Sequence, residues 1–571
     1  MSRPWQQARP RLSRNALVVV ALAILSPAAL AGGEGAREQQ QQRAAVPNAA
    51  VVPNARPIAR GSDLASCLKA IEGAPELRLP GSPDYELYGN GLRTMEPHTP
   101  AAVLFPDTTP QVQAAVVCAT RHGVRPIPRS GGFSFENLGT ADGALVIDLS
   151  NMAEVVIDAG AMTATADAGV RMGNLYYEIF KQGRAAGGRN LTCLGGTYPQ
   201  IGFGGILLAG GYGAFTRKFG LLSDSLISAK MVDAKGQLLS VDEESHPDLL
   251  FALRGGGGGT YGIVVEATIR LFEIPVVTLA RIKYESLEHA VALFDRFQRW
   301  GPTSPPELSL KYNLKPDKTD VNIQYMGSKA DLDRLIREES GMLFPGGVYE
   351  AAECDVQGSR GWTPEGSIIP AGKRGGWKTV SHFLLEPQCM AHEATVVPQR
   401  VRPGGPLAFM KEAAQYRSAY FDQPIPLKGL EAIRDVVAAP MPQWRQVLCR
   451  VHGPGLSALA DGFSAFGNRG QRVVCEYGTS FGMRRTLEQT PKKLADEVWA
   501  WFKQARDVMG AYDSGAEYNG WINRFDKPEN YFGANYEALK RIEKKYDPDN
   551  VFFNALSVVA RRRLAERDAE L

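Results

Sequence analysis

Between Gly195 and Gly213 the chain reads GGTYPQIGFGGILLAGGYG, nineteen residues with no charged side chain among them. A backbone without Cβ atoms can come into contact distance of another surface, and glycine at this density asks for such an approach. A flexible linker is the competing reading. Linkers of this glycine content are rich in serine and other polar residues, whereas here Ile201, Phe203, Ile206, Leu207, Leu208 and Tyr212 fill the gaps. The stretch is therefore expected to be a buried loop and strand that wrap something large and flat. Two further segments support this: Arg129-Ser130-Gly131-Gly132-Phe133-Ser134 before it, and Arg254 followed by Gly255 to Gly259 after it. Glycine turns expose successive N–H groups that can hold a pyrophosphate without a lysine.

The 571 residues exceed one ordinary core, since domains average about 150 residues. With 44% hydrophobic and 22% charged residues the composition is that of a globular protein. A net charge of +3, with no basic run interleaved with aromatics, excludes nucleic acid as the expected partner. Residues 1–31 have the parts of a secretory signal: Arg3, Arg9, Arg11 and Arg14, an apolar segment from Ala16 to Leu25, and Ala29-Leu30-Ala31 as a cleavage site. A membrane anchor is the alternative, but the apolar run falls short of the ~20 residues that span a bilayer. No stable membrane insertion is expected, and the localisation expected is secreted. Seven cysteines follow, Cys67, Cys118, Cys193, Cys354, Cys389, Cys449 and Cys475, with no C-x-x-C pair, so no metal site is expected. The odd count leaves at least one thiol unpaired.

Residues 32–60 read as a linker. Past it, strand and helix signals alternate: a helix over Leu64–Ile71, a strand over Ala101–Phe105, a helix over Gln111–His122 with Pro110 in its first turn, and an extended Arg125–Pro128. Ala144–Leu149, Val155–Asp158 and Met162–Ala166 read as three strands of one mixed sheet. After the glycine-dense stretch come a hairpin over Ser228–Val241 and a buried strand over Thr260–Ile269. From about Ile274 longer amphipathic helices separate single strands such as Leu308–Tyr312, Val321–Tyr325 and Gln471–Ser480. One antiparallel sheet with helices on one side accounts for that pattern. Pro364–Lys378 reads as a surface excursion.

These segments, in this order, resemble the berberine-bridge-enzyme-like flavoproteins of the vanillyl-alcohol-oxidase superfamily. The family's R-S-G-G-H-S is matched by Arg129 to Ser134 except at Phe133, and its C-P-x-x-G-x-G-G-H-x-x-G-G-G-x-G by Tyr198 to Gly213 with three departures. Its R-G-G-G-G-G-N-F-G-I-V is followed by Arg254 to Val264, and its terminal Y-D-P-x-N-V-F by Tyr546 to Phe552. The resemblance covers about Cys67 to Ser557. It implies an α+β fold: a two-subdomain p-cresol-methylhydroxylase-type FAD-binding domain over 61–273, an α+β substrate domain with an antiparallel sheet over 274–510, and a segment 511–571 that returns to the FAD-binding domain. It also implies a disulfide between Cys67 and Cys118.

The cofactor so implied is FAD, held by Arg129, Ser130, Gly131, Gly132, Phe133, Ser134, Gly196, Thr197, Tyr198, Ile201, Gly202, Gly204, Gly205, Gly210, Gly211, Ile263, Val264, Asn523 and Asn550. Many relatives bind the flavin covalently through the histidine and cysteine that Phe133 and Tyr198 replace. Phenylalanine cannot form that bond, and Tyr198 reads as a packing or ring-stacking residue, so noncovalent FAD is expected. The reaction implied is oxidation of a small-molecule substrate, a saccharide, alcohol or secondary metabolite. Hydride passes to flavin N5, and dioxygen or another electron acceptor follows. The alternatives are a flavin-free binding protein and a redox-neutral cyclising enzyme on the same scaffold. An acid–base group is needed. The family's Y-x-N-Y reads Trp521-Ile522-Asn523-Arg524 here, which leaves Tyr518 and Glu476 as catalytic candidates. Strand alternation leaves open whether Glu476 faces a cavity or solvent. The bulk of Ile201, near the family's dioxygen-gating position, leans toward a dehydrogenase.

Overall fold

A computed structural model describes residues 61–91, 97–196, 198–274, 276–353, 360–362, 368–370, 399–400, 412–441, 443–459, 462–483, 490–523, 526–554 and 557. The expected signal and linker segments, Thr197, Arg524, and the expected excursion at Pro364–Lys378 apart from 368–370 lie outside them.

Four short strands, β1 (Glu76–Arg78), β2 (Ala102–Phe105), β3 (Pro126–Arg129) and β4 (Leu145–Asp148), form a sheet in the order β1-β2-β4-β3. β4 runs parallel to both β2 and β3, and the crossover between β2 and β3 is the helix Thr109–Arg121. Every residue of β2 and β4 is buried, as parallel strands covered on both faces require. The disulfide Cys67–Cys118 pins the first helix, Gly61–Lys69, to that crossover.

The expectation of one mixed sheet through residues 144–166 is corrected. Asp148 accepts the Ser150 N–H at 3.0 Å and starts a 3-10 turn over Leu149–Asn151. That turn carries the chain out of the first sheet. β5 (Val155–Asp158) and β6 (Thr163–Asp167) join β8 (Leu226–Val232), β9 (Leu238–Val241) and β10 (Ile263–Arg270) in a second, antiparallel sheet, with β10 at its centre. A two-stranded ladder of β7 (Leu191–Thr192) and β11 (Phe272–Glu273) lies beside it. Helices 528–546 return to this part of the molecule, where Leu539, Ile542 and Phe552 join the same hydrophobic core as Leu104, Phe203 and Ile269.

The second core belongs to a seven-stranded antiparallel sheet. Its strands are β12 (Thr278–Tyr284), β13 (Leu308–Leu314), β14 (Thr319–Tyr325), β15 (Val348–Glu353), β18 (Glu412–Phe421), β19 (Arg445–Val451) and β20 (Val473–Met483), and a separate hairpin pairs β16 (Arg360–Trp362) with β17 (Ile368–Pro370). The order is β15-β12-β14-β13-β19-β20-β18. One face carries Ile282, Leu310, Tyr312, Val321, Ile323, Cys449 and Tyr477 against the helices Ala290–Trp300, Leu427–Ala438 and Lys492–Gly510. On that face Cys449 and Cys475, directly opposite in β19 and β20, form a second disulfide. Cys193 is a buried free thiol. Because side chains alternate along a strand, the other face of this sheet holds the remaining half of each strand, which along β13 and β14 is polar: Ser309, Lys311, Asn313, Asp320, Asn322 and Gln324.

Candidate functional site

The glycine segments come together first. A Cβ on Gly202 would collide with the Gly131 backbone nitrogen and one on Gly131 with the Gly202 nitrogen, so the two loops are glycine where they press on each other. Arg171, fully buried, donates from Nη1 to the carbonyls of Gly131 (3.2 Å) and Gln200, tying both loops to one guanidinium. Burial lowers its pKa to about 10, so it stays charged at neutral pH. The third segment joins through Gly257, whose N–H donates to Leu208 O at 2.9 Å. Asn554 Nδ2 holds the carbonyls of Gly258 and Gly259 at 3.0 and 3.3 Å.

Within the dense stretch the structure has a short helix, Phe203–Leu208, where a strand was expected. Phe203 and Leu207, four residues apart, are fully buried on one side. Gly205 lies between them with nothing within 4 Å of where its Cβ would be.

Gly205 opens into a cavity of about 1000 Å³ between these loops and the polar face of the seven-stranded sheet. Arg129, Ser130, Gly131, Gly132, Phe133, Ser134, Gly196, Tyr198, Ile201, Gly202, Gly204, Gly205 and Val264 line it. Phe133 and Tyr198 stack on each other, ring centres 6.2 Å apart and 30° between planes, and leave the hollow open.

Five expected cofactor contacts lie off this lining and have other work. Gly210 packs against Phe466, and the Gly211 N–H donates to the Tyr518 hydroxyl at 3.1 Å. Ile263 is fully buried in the first core. Asn523 exchanges backbone hydrogen bonds with the Tyr531 hydroxyl at 2.9 and 3.0 Å. Asn550, at φ 54°, makes the left-handed turn after the last helix. Thr197 lies outside the described residues.

Both catalytic candidates line the cavity. Glu476 projects from β20 on the polar face, and Oε2 is 4.0 Å from Arg450 Nη1 on the neighbouring strand. The open question of its face is settled by its place in the lining. Tyr518 is fixed from behind: Ser418 Oγ accepts its N–H at 2.7 Å and donates to Glu517 Oε2 at 2.5 Å. Burial pushes the Tyr518 phenol up to about 12. Next to it Tyr212 shares hydrogen bonds of 3.0 Å with the Tyr420 hydroxyl and His452 Nε2.

The sequence reading missed most of the opposite wall: Arg281, Lys311, Asn313, Lys315, Asp320, Asn322, Tyr416, Trp444 and Arg450. Their signal was faint but present, as polar residues at every second place in strands whose other places are apolar, such as Lys311 and Asn313 between Leu310, Tyr312 and Leu314.

The cavity fits FAD. Arg129 pairs with Asp148 at 2.6 Å through Nε, while its buried Nη1 has no hydrogen-bond partner among the described residues and suits a phosphate oxygen. A side chain at Gly205 would enter the space. The comparisons agree with this fit: an FAD binding domain family model matches residues 100–242, and a berberine and berberine-like model matches residues 510–559. The chain thus carries the FAD binding domain and the berberine-like segment found in berberine-bridge-enzyme-like FAD-linked oxidoreductases.

Among curated members of this family, the FAD-linked oxidoreductase pynB of Aspergillus niger is 29% identical over 80% of this chain and 84% of its own length. Among solved structures, BBE-like 1 of Physcomitrella patens superposes with a TM-score of 0.73 at 25% identity, covering 87% of this chain and 98% of that one. A chitooligosaccharide oxidase shares the fold, with a TM-score of 0.72 at 23% identity over 87% and 99% of the two chains. The α+β fold with its FAD-binding domain of p-cresol-methylhydroxylase type is thus the family's own.

Proposed function

We propose that this FAD-dependent oxidoreductase is secreted, holds its flavin without a covalent bond, and oxidises a small organic substrate, a saccharide, alcohol or secondary metabolite. The observation that carries the reading is the single cavity in which the glycine loops face a polar sheet. Bound FAD supplies the two-electron acceptor for a substrate carbon–hydrogen bond. Phe133 and Tyr198 support the noncovalent assignment, since neither offers the imidazole or thiol that the family's tethers use. Two disulfides support export. The chitooligosaccharide oxidase of the same fold acts, by its name, on a small saccharide, which supports a substrate of that size.

Glu476 is the proton acceptor in this proposal. It is a cavity-lining carboxylate with a guanidinium 4.0 Å away to orient it. Tyr518 is a positioning residue instead. With its phenol pushed up to about 12 it is neutral at working pH, and its oxygen is engaged by the Gly211 N–H. Replacing Glu476 with Gln is expected to lower turnover by about 10²–10⁴-fold with flavin content unchanged, measured as anaerobic flavin bleaching by substrate. Undiminished turnover removes Glu476 from the mechanism. Acid precipitation is expected to release all the flavin into the supernatant, and retained flavin refutes the noncovalent assignment. Peroxide release against dye reduction identifies the electron acceptor.

A further inference from the structure

Behind the Gly131–Gly132 turn lies a second, small hollow of about 20 Å³. The turn lines both this hollow and the large cavity, whereas Arg171 lines only the hollow. Three guanidiniums surround it, those of Arg129, Arg171 and Arg400. Asp148 takes Arg129 at 2.6 Å, and Glu76 takes Arg400 through two bonds of 2.6 and 2.9 Å. Arg171 is left over. It is 2% exposed, and each of its hydrogen bonds among the described residues goes to a main-chain carbonyl: Nε to Gln399 O at 2.9 Å, and Nη1 to Gly131 O and Gln200 O.

Carbonyl dipoles orient a cation but do not cancel its charge, and a buried charge without a counter-charge is costly. The chain carries that cost at one place, directly behind the turn. The positive end of the helix Met172–Ala185 adds to it, because Arg171 is the cap of that helix. The first N–H groups of the helix, those of Met172 and Gly173, donate to Ile201 O and Pro199 O of the adjoining glycine loop at 2.9 and 3.0 Å.

Peptide geometry gives the charge a direction. In a trans peptide the C=O of one residue and the N–H of the next point opposite ways. Gly131 C=O points at Arg171, so the Gly132 N–H points away from it, toward the cavity, and makes no hydrogen bond among the described residues. Gly132 has φ 65°, the left-handed region that a side chain would disfavour. Arg129 Nη1, at the foot of the same turn, is a second donor without a partner among the described residues.

We propose that Arg171 is a positioning residue for the diphosphate of FAD: it touches no cofactor atom, but it fixes the Gly131–Gly132 peptide with its N–H outward and supplies the counter-charge from behind. The uncharged ring of the flavin gains nothing from it. The protein therefore selects a flavin dinucleotide over a free flavin by its charge. The inference rests on FAD as the occupant of the cavity and is independent of the substrate, so its test measures binding without turnover.

The full-length protein is made flavin-free by flavin-limited expression, so the measurement holds whether or not the flavin is tethered. ADP carries the diphosphate without the ring, and riboflavin the ring without the phosphates. Each is titrated by calorimetry alongside FAD. Arg171→Met is expected to weaken ADP and FAD about tenfold or more and to leave riboflavin within about twofold of the parent. No binding of riboflavin by either protein counts as unchanged. The flavin-free melting temperature is expected to stay level or rise, since an apolar side chain in place of a lone buried charge is often neutral or stabilising. Arg171→Lys keeps the charge without the fork and is expected to recover part of the ADP affinity lost in Arg171→Met. In the parent protein, inorganic diphosphate is expected to raise the flavin-free melting temperature more than sodium chloride at equal ionic strength. An equal loss for ADP and riboflavin, unchanged ADP binding, or Arg171→Lys no better than Arg171→Met overturns the proposal. So does a parent protein that diphosphate fails to stabilise, a measurement that needs no variant to fold. If acid precipitation retains the flavin while ADP responds as expected, the noncovalent assignment fails and this proposal stands. Released flavin with unchanged ADP binding gives the reverse.

Discussion

The two walls of the cavity are made in opposite ways. The flavin side is built from backbone: Gly131, Gly202 and Gly257 bring three loops together, with Arg171 and Asn554 bonded to main-chain carbonyls. The sheet side is built from side chains standing on regular strands, where backbone groups are consumed by the ladder and only alternate residues reach the space. A backbone wall tolerates almost no added atom where, as at Gly131 and Gly202, the neighbouring loop fills the glycine's place. A side-chain wall accepts exchange of its groups at little cost to the fold, so it is where substrate preference can vary.

The largest effect that tests this contrast is a pair of glycine substitutions. Gly202→Ala drives a methyl into the Gly131 backbone. It is expected to cost about 3 kcal/mol or more and to strip the flavin, read by thermal unfolding and by absorbance per mole of protein. Gly205→Ala, with open space around its Cβ, is expected to leave stability within about 0.5 kcal/mol of the parent while weakening FAD in equilibrium dialysis. Equal outcomes at the two positions would break the distinction between glycines that pack and glycines that leave room.

A second test concerns the rear of the side-chain wall. Cys449 and Cys475, separated by 26 residues, are bonded beneath the strands that carry Arg450 and Glu476. Replacing both with alanine is expected to cost about 3 kcal/mol of stability, measured in denaturant, with substrate KM unchanged if the wall is as tolerant as proposed. A large rise in KM shows that the wall depends on its backing.

The smallest effect, read per pH unit, lies where the walls meet. Burial lowers the His452 imidazole from its ordinary range to about 3. Between about pH 6.5 and 3 the unfolded chain therefore binds a proton that the folded one refuses. Stability is full above that window and falls as pH drops through it, by at most about 1.4 kcal/mol per pH unit. His452→Gln is expected to flatten the slope of unfolding temperature against pH in this range. An unchanged slope places the acid sensitivity elsewhere.

Some strands were seen from sequence as apolar runs, such as Ala102–Phe105, and others by alternation, such as Leu308–Tyr312. The strands Thr278–Tyr284 and Arg445–Val451 were missed; each carries an arginine, Arg281 or Arg450, on the face that a second wall covers. Tyr518 was found by nearness to a degenerate motif, and the Gly211 N–H shows that it holds the loop.

By itself the sequence determined the glycine loops, because contiguous glycines state a backbone requirement that only a few conformations meet; the Cys67–Cys118 bond was implied only through the family resemblance those motifs carry. Tertiary structure alone decided that Arg281, Lys311 and Arg450 share one row facing the flavin side. Their neighbours in that row are set by strand register across more than a hundred residues of chain, and a register is chosen by the packing of the whole sheet.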